Sequence, residues 1–135
     1  MTSYKFLIHL TKKFKDQFEA LPISAQANFR TIIVNTFEKG ELTALHPKKG
    51  ALKDVYSVNF TDNTGVQYRA LCTKHSRKSV LDNEDIFAST LALYPDRAHS
   101  FELLIFFRFV GTHEYINRLY KLRAKEIERL FFRNF

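Results

Sequence analysis

The run Phe101-Glu102-Leu103-Leu104-Ile105-Phe106-Phe107-Arg108-Phe109-Val110 limits this chain more than any other segment. A strand of that composition is buried on much of both faces. It is too short to cross a bilayer, and it carries Glu102 and Arg108. It leads into Gly111-Thr112-His113-Glu114-Tyr115, where an imidazole, a carboxylate and a phenol follow a glycine. Strand ends that deliver titratable groups at a turn are common places for chemistry. The plainer alternative is that Gly111 caps the strand and His113-Glu114 only open a helix.

The 135 residues predict one domain, 1–135, and 45% hydrophobic residues suffice for a real core. With 21 Lys+Arg against 14 Asp+Glu, the net charge is +7. That balance favours nucleic acid, an acidic protein or an anionic surface as partner. The single cysteine, Cys72, rules out an internal disulfide and is expected in a buried strand position. The apolar alternation near the N-terminus is too short for a signal peptide, so a cytoplasmic protein is expected, with no membrane partner.

Period-two alternation predicts strands near 4–10, 55–61, 66–74 and 101–110. Thr11 should cap a helix carrying Phe14, Phe18 and Leu21 that ends at Pro22. Ser24 should cap a second, with Ala25, Phe29, Ile32, Ile33 and Phe37 on its stripe and Gly40 at its end. Residues 41–54 read as a lysine-rich loop, and Thr61 to Gly65 as a turn. Within 75–100, Asp82-Asn83-Glu84-Asp85 could start a short helix through Leu93. Helical spacing from Ile116 to Phe131 predicts a long C-terminal helix with Arg118, Lys121, Arg123, Lys125, Arg129 and Arg133 on its other side. The expected fold is α+β: a small, mainly antiparallel sheet with an N-terminal two-helix hairpin on one face. The other face would carry Leu71, Leu104 and Phe106, to be covered by the C-terminal helix or by a partner's helix.

Four features in order give this chain a likeness to known proteins: the strand and two-helix hairpin, the loop Leu45-His46-Pro47-Lys48-Lys49-Gly50 feeding Val55-Tyr56-Ser57-Val58, the Tyr68-Arg69 pair, and the ending Phe109-Val110-Gly111-Thr112-His113-Glu114-Tyr115. With these it resembles the RelE superfamily of toxin endoribonucleases, nearest its HigB and YafQ branches. The likeness covers roughly residues 4–75 and 101–121, and the final motif is its most specific part. Residues 76–100 look like an insertion, and the helix after Tyr115 is longer than in typical members. The resemblance implies the toxin of a type II toxin–antitoxin pair, an mRNA interferase that cuts mRNA during translation on the ribosome. It also implies a cognate antitoxin that silences it, here through an acidic segment.

Metal-independent RNA cleavage needs a base for the 2′-hydroxyl, cations for the developing charge and an acid for the leaving 5′-oxygen. His113 suits the acid or base role, because an imidazole titrates near neutral pH. Arg69 and Arg108 are planar cations suited to a phosphate, and Tyr115 could stack on a base or bond a phosphate. Lys48, Lys49 and Lys53, with His46, could anchor the RNA backbone. Each has a plainer alternative: strand arginines pair with carboxylates, Tyr115 packs, and the lysines are solvated. His9, His75 and His99 have no convergent partners in sequence and read as structural or surface residues. No pair has metal-ligand spacing, so neither a metal site nor a cofactor is expected. The rival in another class is a basic RNA-binding or ribosome-binding module without catalysis, which needs the cations but no titratable group.

Overall fold

The computed structural model describes residues 6–39, 45–47, 55–96, 101–119, 121, 126 and 129. The elements run β1 (Phe6–Leu10), α1 (Lys12–Glu19), α2 (Ile23–Lys39), β2 (His46–Pro47), β3 (Val55–Thr61), β4 (Gln67–Ser76), α3 (Arg77–Leu81), α4 (Glu84–Leu93), β5 (Leu103–Thr112) and α5 (His113–Leu119). The fold is α+β around one five-stranded sheet, ordered β1-β5-β4-β3-β2. The apolar run is therefore an inner strand. β1 lies parallel to β5 and the other three pairings are antiparallel, so the sheet is mixed.

Local chemistry accounts for most boundaries. Thr11 accepts a hydrogen bond from the Phe14 amide at 3.1 Å and caps α1 as its position predicts. The second helix begins one residue earlier than expected, at Ile23, with the Pro22 carbonyl accepting from the Gln26 amide at 3.1 Å. Ser24 is not the cap. Its hydroxyl accepts from the Asn63 amide at 3.1 Å and ties the β3–β4 turn to α2. In that turn Asp62 accepts from the Thr64 amide and hydroxyl, the Val66 amide and the Tyr68 hydroxyl. The Thr64 hydroxyl leads the set of bonds that hold the Asp62 carboxyl below its usual range. Gly65, with φ of 90°, takes the one left-handed position of the turn.

The hairpin side of the sheet is hydrocarbon. Phe14, Phe18 and Phe29 from the helices meet Phe60, Ala70, Cys72, Ile105 and Phe107 from the strands. Ring centroids lie 5.2–5.8 Å apart across Phe14, Phe18, Phe29, Phe60 and Phe107, the spacing at which aromatic pairs attract. A fully buried Phe contributes roughly 1.5–3 kcal/mol through the hydrophobic effect alone. Burial also pushes the Cys72 thiol up, leaving it an inert core residue.

The other side is covered by α3 and α4. Val80 of α3 and Ile86 of α4, with Phe101, pack on Leu7, Leu104 and Phe106. So the face predicted to need a cover has one over Leu104 and Phe106, supplied by α3, α4 and Phe101. The C-terminal helix is described only as far as α5; its expected extension to Phe131 lies largely outside the described residues.

One irregularity reorganises β5. Leu71 faces Phe109 and Cys72 faces Phe107, which leaves Arg108 as the extra residue of a β-bulge. Leu103, Ile105 and Phe107 point to the hairpin before it, and Val110 does so after it. The alternation has slipped by one residue at Arg108.

Candidate nucleic-acid interface

β4 and β5 bring Arg69 and the GTHEY motif together. Arg69 sits opposite Gly111, and Tyr68 opposite Thr112. β5 runs through Gly111 instead of ending there, and α5 opens at His113. The reason for glycine is space: a Cβ on Gly111 would lie 2.5 Å from the Tyr115 ring, which is folded back over it. His113 and Glu114 are exposed on the first turn of α5, and Arg69 is half-buried. Ile116, fully buried, anchors the helix against the sheet.

Tyr115 is positioned by more than its ring. β1 ends opposite Phe107, so β5 continues past its strand neighbour and the Val110 amide loses a ladder partner. Gln17 of α1 fills that place. Its Oε1 accepts from the Val110 amide at 3.0 Å, and its Nε2 donates to the Tyr115 hydroxyl at 2.8 Å. The phenol expected to meet RNA is thus engaged with α1.

Arg108 is 2% exposed. Its guanidinium lies 4.2 Å from the centre of the Phe106 ring, and its Nε donates to Thr73 Oγ1 at 3.4 Å. His75 Nε2 is 2.8 Å from the same hydroxyl, and His9 stacks on Phe106 at 4.3 Å. A guanidinium only donates, so Thr73 accepts from it and can give its own proton to a neutral His75. Burial first, then the charge of Arg108, lowers His75 to about 4; His9 is lowered by burial, Lys15 and Arg108. Burial brings Arg108 itself down to about 10, still a cation at neutral pH. Nothing local in the chain signals that His9 and His75 join Arg108, because three separate strands supply them.

Among the expected RNA anchors, His46 is exposed on β2, two strands from β4 and so about 10 Å across the sheet. Lys48, Lys49 and Lys53 lie outside the described residues. Sequence patterning did not foresee the cleft of about 570 Å³ between α2 and the free end of β3, with Arg69 on its wall. Among the described residues, no three His, Cys, Asp or Glu gather as metal ligands would, and no helix is long and apolar enough to cross a membrane.

Comparison with protein-family models, curated proteins and solved structures finds no match for this chain.

Proposed function

We propose that this chain is the toxin of a toxin–antitoxin pair, an endoribonuclease that cuts mRNA without a metal ion. The observation that carries the proposal is the pairing of half-buried Arg69 with Gly111, two residues before the exposed His113, at one end of the sheet. A cation and a proton-transfer group side by side are what cleavage at a phosphate requires. The order of elements supports the same reading. The hairpin, the Tyr68-Arg69 strand and the GTHEY strand fall on α1–α2, β4 and β5. In this scheme Arg69 binds the scissile phosphate and His113 transfers the proton. Arg108 and Tyr115 hold the surrounding structure unless RNA draws them out. The substrate is mRNA on the ribosome, in the cytoplasm, and the partner is an antitoxin with an acidic segment that answers the +7 charge.

A second reading has its own observation. Two of the four side chains assigned to catalysis, Arg108 and Tyr115, are occupied with Thr73 and Phe106 and with Gln17. A basic RNA-binding or ribosome-binding module would need neither. Induced expression with mapping of mRNA 5′ ends separates the two. The toxin should arrest growth and create new ends, and His113→Ala should cut about 10²–10⁴-fold more slowly while keeping RNA binding. Equal growth arrest by His113→Ala and wild type would leave the binding module as the better account.

A further inference from the structure

The bridge that Gln17 makes has a direction, set by which atoms can donate. A backbone amide only donates, so the Gln17 atom 3.0 Å from the Val110 nitrogen has to be the carbonyl oxygen. The atom 2.8 Å from the Tyr115 hydroxyl is then Nε2, which has protons to give and no lone pair to offer. The phenol oxygen therefore accepts, and its own proton is turned away from Gln17. Among the described residues no group takes that proton, and Tyr115 keeps part of its surface in solvent.

The place of the ring is fixed as well. Tyr68 and Ala70 face the hairpin core, so Arg69 between them faces the other way. Gly111 is the cross-strand partner of Arg69 and shares that face. A Cβ on Gly111 would lie 2.5 Å from the Tyr115 ring, so the ring covers Gly111 on the Arg69 face. Directly paired positions of this kind are about 4.5–5.5 Å apart. The Tyr115 amide donates to Thr112 Oγ1 at 3.3 Å, which holds the backbone of the turn. From over Gly111 the hydroxyl reaches toward α1. An RNA backbone that crosses this end of the sheet from Arg69 toward α1 passes the phenol.

We propose that Gln17 is a positioning residue that holds Tyr115 as a hydrogen-bond donor, its phenol proton presented to a phosphate of bound RNA. Tyr115 then meets the substrate without leaving α1. This rests on the endoribonuclease reading, in which Arg69 binds phosphate and His113 transfers the proton.

Gln17→Glu separates the hold from the direction. A carboxylate accepts from the Val110 amide as the carboxamide does, but it can only accept from Tyr115, so the phenol proton turns inward. The denaturation midpoint should stay close to wild type. Binding of a 2′-deoxy oligonucleotide, which the mechanism above cannot cut, should weaken about ten- to hundredfold, the worth of a hydrogen bond to a charged group. Tyr115→Phe should weaken it as much. The carboxylate also repels nucleic acid by its charge alone, so the same change is made in the Tyr115→Phe background. There Gln17→Glu should weaken binding by less than about fivefold, the scale of one exposed charge. An equal loss in both backgrounds, or wild-type affinity in Tyr115→Phe, overturns the proposal. Should Gln17→Glu unfold, Gln17→Met takes its place: it should weaken binding where the phenol is present and not in Tyr115→Phe, and equal effects overturn the proposal. If wild type cuts no RNA, the nuclease reading fails, and the oligonucleotide series still decides what Gln17 does. If wild type cuts and all variants bind alike, the nuclease stands and the role given to Gln17 falls.

Discussion

The two faces of the sheet are built from different materials. Toward the hairpin, buried rings from α1, α2, β3 and β5 pack chiefly on one another and on aliphatic side chains. On the opposite face, apolar contacts from α3 and α4 share the surface with His9, Thr73, His75 and Arg108. The first layer is what holds a small domain together. The second places a cation and two imidazoles in a poorly solvated layer, which is expensive for the charged forms. A fold retains such an arrangement where polarity serves something besides stability, and β5 is shared by both faces. The bulge at Arg108 is the device that lets one strand serve both, because it turns Val110 back to the hairpin after Arg108 has turned away.

The sharpest way to break the comparison is to change one residue on each face of β5. Phe107→Ala opens a cavity among Phe14 and Phe29 and should cost about 3–5 kcal/mol in chemical denaturation. Arg108→Met keeps volume and removes a buried charge, so it should cost less than about 1 kcal/mol or even stabilise. A larger loss for Arg108→Met than for Phe107→Ala would mean that the polar face, not the hairpin core, holds the sheet.

Gly111→Ala probes the place where the two faces meet the motif. The new Cβ overlaps the Tyr115 ring, and the forced shift should cost about 1–3 kcal/mol. In a Tyr115→Ala background the same change should cost far less, since the clash is gone. Equal costs in both backgrounds would show that the strain lies in the strand and not in the ring.

Acid should separate the faces as well. His75, lowered to about 4, and His9, also lowered, are neutral in the fold below the pH at which an unfolded histidine takes its proton. Between about pH 6.5 and pH 4 the unfolded chain therefore binds more protons, and stability falls as pH falls. For these partly buried groups the loss should be on the order of 1–3 kcal/mol across that window, read from denaturation midpoints. Arg108→Met removes one of the charges that depress them and should shallow the slope. The Asp62 carboxyl, held down by the turn, adds its own loss only at lower pH, as it is protonated below the usual carboxylate range.

The elements were legible where one face is buried and the other wet. β3 shows this: Tyr56, Val58 and Phe60 alternate with polar residues, and the strand runs Val55–Thr61 as the pattern predicts. β5 is apolar throughout, so its composition identifies a strand but conceals the bulge; no polar beat marks where the phase slips. β2 has only two residues, one of them Pro47 at a sheet edge, too short for any period to register. α3 is five residues long, and its one local signal is Ser76, whose hydroxyl caps it by accepting from the Ser79 amide. Ser24 misled because a serine before a helical stripe suits a cap, whereas its hydroxyl is claimed by a turn 39 residues away. The pairing of the Tyr68-Arg69 strand with the strand that leads into His113 followed from strand order. The burial of Arg108 did not, because the cover over that face comes from α3 and α4, whose packing depends on tertiary contacts.

The smallest expected effect decides what Tyr115 does. Its ring fills the space over Gly111, and its hydroxyl accepts from Gln17, which also holds the Val110 amide. Tyr115→Phe keeps the ring and removes the phenol, so stability should fall by about 0.5–1.5 kcal/mol, the net worth of one hydrogen bond. Gln17→Ala should cost more, because it also strands the Val110 amide. If Tyr115 only positions the turn that presents His113, Tyr115→Phe should cut RNA at close to the wild-type rate, and any loss should be matched by Gln17→Ala. A fall in cutting of a hundredfold for Tyr115→Phe, with Gln17→Ala nearly unaffected, would give the phenol to the substrate instead. It would also mean that the bond to Gln17 breaks when RNA arrives, and that the quiet end of the sheet is the one that moves.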